Sequence, residues 1–100
     1  MNNELFICAR FQAKPDSLIE LRDRLFEMVD LTLKEEGCLF YNLHIDSSDE
    51  SVFYFFEGWK NQEAFKLHES TAYVQAIIAD APRLTVDGVR VEFMQRISPT

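Results

Sequence analysis

Between Val52 and Tyr73 the chain reads VFYFFEGWKNQEAFKLHESTAY, and few folds can accommodate it. Residues 52–56 are apolar without interruption, so a strand built from them needs cover on both faces. Side chains alternate along a strand, which puts Phe53, Phe55, Glu57 and Trp59 on one face and Val52, Tyr54 and Phe56 on the other. A helix is expected at once, capped by Asn61, with Ala64, Phe65 and His68 on its apolar side. Such a helix returns over the strand it follows. A carboxyl, the only indole of the chain and an imidazole are thereby predicted to meet in one hydrophobic space.

The flanking segments supply the rest of a sheet and its cover. ELFICARFQA (4–13) reads as a strand, broken by Lys14-Pro15-Asp16. Ser17 with Glu20 has the form of a capping box. Behind it Leu18, Leu21, Leu25, Met28, Val29 and Thr32 recur at helical spacing over about five turns. Glu20 and Arg24 fall on the wet side. Gly37 is expected to stop this helix in the left-handed conformation. CLFYNLHID (38–46) alternates Leu39, Tyr41, Leu43 and Ile45 against Phe40, Asn42 and His44, and the polar turn SSDES pairs it with strand 52–59 as a hairpin. A second short helix begins near Ser70 or Thr71, turns Val74, Ile77 and Ile78 inward, and ends at Pro82. The last strand follows Asp87-Gly88 and alternates Val89, Val91 and Phe93 against Arg90, Glu92 and Met94, up to Ile97.

The order β-α-β-β-α-β is that of an α+β, ferredoxin-like domain, a single one over residues 1–100, with both helical segments on one face of an antiparallel sheet. The other face leaves Phe40, Val52, Tyr54 and Phe56 in water, an apolar patch that two copies would hide by packing sheet to sheet. A homodimer closing an α/β barrel is expected, with Asn42 and His44 at its contact.

Composition narrows the function. Hydrophobic residues make up 47% of the chain and nine are Phe, too apolar for disorder. A net charge of −7, with ten scattered basic residues, argues against nucleic acid and against an anionic membrane surface. No apolar run reaches the roughly 18 residues of a membrane span. The start, MNNELFICARF, lacks a cationic region and an apolar core, so it reads as no signal peptide. Cys8 and Cys38 have no C-x-x-C spacing and too few partners for zinc. They read as buried thiols of a cytoplasmic protein, close together or not. Gly-rich phosphate loops and nucleophile-elbow patterns are absent, and two histidines on opposite sheet faces make no metal cluster.

Glu57, if buried, needs a partner or a raised pKa, and a raised carboxyl in an apolar pocket is a base as readily as a structural acceptor. His68 sits where it can trade protons at neutral pH, or be a satisfied core residue. Trp59 can wall a flat substrate or fill the core.

KEEGCLFYNLHID (34–46) and FFEGWKNQEAFKLHES (55–70) resemble the antibiotic biosynthesis monooxygenase (ABM) domain family, especially its quinol monooxygenases. The carrying features are E-G-C before an aromatic strand and E-x-W followed nine residues later by His; the similarity runs over nearly the whole chain. The resemblance implies a dimeric α+β barrel with a pocket between sheet and helices. It also implies oxidation of a small quinol or phenol by O2 with neither metal nor organic cofactor. On it, His68 is the proton-transfer residue, Glu57 its orienter or partner and Trp59 the stacking wall, with Tyr73, Phe55, Phe65 and Tyr41 lining the substrate. Ala72 and Tyr73 stand where many relatives carry Pro-His, Phe55 where an antibiotic-tailoring member carries Asn, and Ala9 where heme-degrading relatives offer Asn. The resemblance also reaches isomerases of a phosphorylated autoinducer sugar; a third reading, of another class, is a non-catalytic dimeric stress-response or binding domain for which the barrel is only scaffold. Heme binding through His68 is a lesser option.

Overall fold

The computed structural model describes residues 3–99. Its strands β1 (Leu5–Ala13), β2 (Cys38–Ile45), β3 (Val52–Trp59) and β4 (Thr85–Met94) form one antiparallel sheet in the order β2-β3-β1-β4. The fold is α+β and ferredoxin-like. The most apolar strand, β3, lies inside the sheet between β1 and β2, where both its edges are hydrogen-bonded. Helices α1 (Leu18–Thr32), α2 (Gln62–Glu69) and α3 (Ala72–Leu84) cover one face. Leu21, Leu25 and Met28 of α1 and Val74 and Ile77 of α3 pack there on Ile7, Phe11, Phe53, Phe55 and Trp59. Burial of these side chains is the main driving force, about 25 cal/mol for each Å² of apolar surface removed from water.

Cross-strand registry sets which side chains stand in line on the covered face. Tyr41, Glu57, Ile7 and Phe93 make one row; Leu43, Phe55, Ala9 and Val91 make the next. Ala9 presents only a methyl in the second row, next to the Phe55 ring. The layer is thin at that point, and a cavity lies there.

Local signals worked out unevenly. Asn61 caps α2 by accepting from the Ala64 N–H at 2.8 Å, and Thr71 caps α3 by accepting from Val74 at 3.4 Å. Ser17 precedes α1 but makes no side-chain cap bond. Its expected reciprocal partner, Glu20, is instead held by the Arg83 guanidinium at 2.8 and 2.9 Å, while Arg24 pairs with Asp80 at 2.6 Å. A bidentate guanidinium outcompetes a neutral cap for a carboxylate. The first helix is 15 residues long and ends at Thr32. Among the described residues only Gly88 has a positive φ, at 79°, so Gly37 is not a left-handed cap. Its need is space, because a Cβ there would come within 2.2 Å of the Ala64 Cβ. Pro82 does not end α3, which runs on to Leu84. The proline forfeits the N–H bond to the carbonyl one turn back, and the orphaned carbonyls of this last turn are met from outside, Lys14 Nζ and Thr85 Oγ1 donating to Pro82 and Ala81. The last strand starts at Thr85, before Asp87-Gly88, and ends at Met94 rather than Ile97. Gly88 sits where the pairing with β1 shifts register, its N–H given to Thr85 Oγ1.

The open face is less exposed than the alternation suggested. Val52 is only 3% exposed, its N–H and carbonyl both bonded by the 46–51 turn. Phe6 is 7% exposed, beside the Phe40 ring and under the Arg96 guanidinium. Phe56 and Met94 remain open, and Tyr54 is half-buried with its hydroxyl given to Asp46. Phe40 lies flat over Gly58, where a Cβ would come within 2.3 Å of its ring. Cys8 and Cys38 are free and only half-buried, Cys8 across from Phe56 and Cys38 across from Trp59.

Candidate functional site

Glu57, His68 and Trp59 meet because strand alternation and helix return put them there, but their bonding differs from the sequence expectation. The carboxyl of Glu57 accepts from the indole Nε1 of Trp59 at 2.9 Å. His68 is held by a different acid. Its Nδ1 lies 2.8 Å from Oε2 of Glu35, a residue in the turn after α1 that the sequence reading passed over. Glu57 is therefore not the orienter of His68. Tyr73 donates its hydroxyl to the same Glu35 oxygen, so α3 also fixes that carboxylate. The signal for Glu35 was faint: it is one of two adjacent glutamates before Gly37, and its neighbour Glu36 faces water. What selects Glu35 is the close approach of Gly37 to Ala64, four residues before His68 on the same side of α2.

The pair is shielded, with the His68 side chain 5% and that of Glu35 18% exposed. The imidazole lies 4.5 Å from the Trp59 ring centre, and the Tyr41 ring meets it edge-on at 5.5 Å. In the neutral imidazole, a bond from Nδ1 to a carboxylate acceptor puts the proton on Nδ1 and leaves the lone pair on Nε2.

A cavity of about 70 Å³ lies between the sheet and α2 and α3, walled by Ile7, Ala9, Tyr41, Phe55, Phe65 and Ile77, with Glu57, His68 and Glu69 at its polar points. Trp59 and Tyr73 do not line it. The indole is fully buried behind Glu57 and His68, and Tyr73 instead borders a hollow between α1 and α3. Nor is the cavity roomy: a benzene-sized ligand occupies a space of about 150 Å³. Its mouth is marked by its exposed lining residues, Ile78, expected inward but 47% exposed, and Val91 of the edge strand β4, 39% exposed.

Electrostatics around this cavity favour neutral acids. Burial pushes the Glu57 carboxyl up to about 7; the Trp59 N–H opposes the shift, and Glu35 and Glu69 add to it. Burial, with the charge of Glu57, raises Tyr41 well above the ordinary phenol value. Burial and the bond to Glu35 carry Tyr73 to about 12. Both phenols are thus donors at neutral pH. Burial, then Glu35 and Glu57, lifts the Cys38 thiol to about 11, and Cys8 is also raised, so neither is a ready nucleophile. Among the described residues no three His, Cys, Asp or Glu side chains are grouped to hold a metal.

Together these features define a class: a ferredoxin-like α+β protein with an apolar slot that carries a carboxylate-anchored imidazole and a second carboxyl raised toward neutrality. The chain belongs to the antibiotic biosynthesis monooxygenase family, whose model matches residues 5–80. It is 30% identical over 90 residues to the protein named "Putative monooxygenase YcnE" of Bacillus subtilis, covering 87% of this chain and 95% of that one. It is 25% identical over 83 residues to the uncharacterized protein sll1783 of Synechocystis, covering 83% of this chain; the chain spans only 56% of that protein's length. The crystal structure of PA3566 from Pseudomonas aeruginosa superposes with a TM-score of 0.90 at 28% identity over 98% of both chains. Among the described residues no helix is long and apolar enough to cross a membrane.

Proposed function

We propose that the protein is a cofactor-independent monooxygenase that oxidises a small quinol or phenol with O2 in the slot beside β4. The observation that carries this reading is that His68, its Nδ1 tied to Glu35, and Glu57, tuned near neutrality, wall the same apolar cavity. Nε2 of His68 removes the hydroxyl proton of the substrate. The resulting phenolate, in surroundings poor in water, is electron-rich enough to pass an electron to O2, and the two radicals join at a ring carbon as a peroxide. Loss of the ring hydrogen and cleavage of the O–O bond leave one oxygen on the ring at the quinone level, and the other departs as water. Protonated Glu57, in the same cavity wall, supplies a proton to that departing oxygen. In total a phenol and O2 give a quinone and water, with no outside reductant. Base and acid terms of this kind contribute about 10²–10⁴-fold each.

The cavity must widen to admit a ring, and its mouth between Ile78, Glu69 and Val91 is the side with least packing. Two carboxylates and no Arg or Lys line it, which disfavours a phosphorylated sugar. One observation favours a second reading, a non-catalytic dimeric domain: the space around Trp59 is filled and the cavity is small. Oxygen consumption separates the two. With reduced quinones and polyphenols in flavin-free, chelator-treated buffer, uptake should be measurable and should fall at least 100-fold in His68→Ala. No uptake across the panel ends the oxygenase reading. We also infer that two copies pack through the open sheet face, where Phe56 adjoins Phe40 and Met94 is exposed on the opposite edge strand.

A further inference from the structure

We propose that Glu35 is the positioning residue of His68 and its rear connection to solvent, so that the buried imidazole exchanges protons with water behind α2 rather than through the slot. Helix α2 separates two spaces. On its inner side is the 70 Å³ cavity, which His68 lines and Glu35 does not. On its outer side is a hollow of about 480 Å³, bordered by Glu35, Gly37, Lys60, Leu67 and Thr71, which His68 does not reach. The 2.8 Å bond from Nδ1 to Oε2 therefore crosses the wall between them.

Three contacts hold the crossing in place. Gly37 lets the turn close on Ala64. The Glu35 backbone is pinned at both ends, its N–H to Thr32 at 2.9 Å and its carbonyl to the Cys38 N–H at 3.1 Å. Tyr73, a phenol that stays protonated, bonds to Oε2 as well. With both bonds on Oε2, Oε1 is the oxygen left to hydrogen-bond water in the outer hollow. A ring filling the slot would seal His68 from the mouth, yet the imidazole would keep a hydrogen-bonded path to water on its other nitrogen. A carboxylate on Nδ1 also keeps the Nε2 lone pair for the slot, the arrangement by which an acid orients a catalytic histidine.

The inference rests on His68 as the proton-transfer residue proposed above, and its test has an arm that needs no turnover. In the wild type, ¹⁵N shifts of His68 should show hydrogen on Nδ1. Glu35→Ala should lose that signature, and formate, small enough to enter the outer hollow, should restore it. In the oxygen assay Glu35→Ala should lower kcat at least tenfold with KM within twofold, and formate should recover at least threefold of the loss in Glu35→Ala but none in His68→Ala. Glu35→Gln, which keeps an acceptor oxygen and the side-chain volume, guards against a folding defect; it should hold the Nδ1–H tautomer while still lowering kcat. A wild-type proton on Nε2 alone overturns the proposal, as does a Glu35→Ala signature deaf to formate. So does an unchanged kcat in Glu35→Ala. If no phenol is turned over by the wild type, the function falls and the ¹⁵N arm alone decides the connection.

Discussion

Glu57 is the side chain of the slot whose shifted titration falls near neutral pH. Its carboxyl titrates near 7 in the folded chain against an ordinary 4.5. Below the lower value both folded and unfolded chains are protonated, and stability is full. As the pH climbs between the two, the unfolded chain ionises first, and stability declines by about 1.4 kcal/mol per unit. Above the upper value a deficit of about 3 kcal/mol remains. Glu57→Gln keeps an acceptor for the indole and has no charge to lose. Urea denaturation at pH 4 and pH 8 should show the wild type losing about 3 kcal/mol relative to this variant; parallel curves would mean that the carboxyl is not buried as described. Trp59→Phe removes the one contact that opposes the shift and opens a void in the fully buried layer. It should cost roughly 2–4 kcal/mol by the same measurement and move the Glu57 transition to still higher pH.

At the scale of elements, the site depends on how closely two of them approach. The turn after α1 touches α2 through Gly37, whose missing side chain is the condition for Glu35 to reach His68. Gly37→Ala would press a methyl on Ala64 and should destabilise by about 1–3 kcal/mol. The double change with Ala64→Gly should recover most of that loss, less about 1 kcal/mol for glycine inside a helix. If the double variant is no more stable than the single one, the contact is not what constrains Gly37. The same logic accounts for Gly58, which lies beneath the Phe40 ring while its neighbours Glu57 and Trp59 turn to the covered side.

For the whole molecule, the balance is between a covered face that is nearly filled and an open face that is not. Phe56, beside Phe40, is 41% exposed and Met94, on the far edge strand, is 39% exposed, while Val52 and Phe6 have already been buried by the chain itself. The proposed pairing of two copies thus rests on a smaller patch than alternation suggested. Sedimentation should return twice the 11.7 kDa chain mass for the wild type and a single mass for Phe56→Glu, which places a charge on the contact. A wild type that sediments at one chain mass would remove the dimer.

The order of elements, the inward set of β3, the two caps at Asn61 and Thr71 and the return of His68 over the sheet were legible in the residues, because periodicity and capping act over a few positions. The same local logic misjudged Gly37, Pro82 and Ser17, where a distant partner or the end of a helix outweighed the usual preference. Which carboxylate holds His68, how little room Ala9 leaves and where the slot opens were decided only when elements far apart in sequence packed together. Glu35 and His68 are separated by 33 positions, and no spacing rule spans such a distance; only the approach of a turn to a helix across a glycine could choose between two adjacent acids.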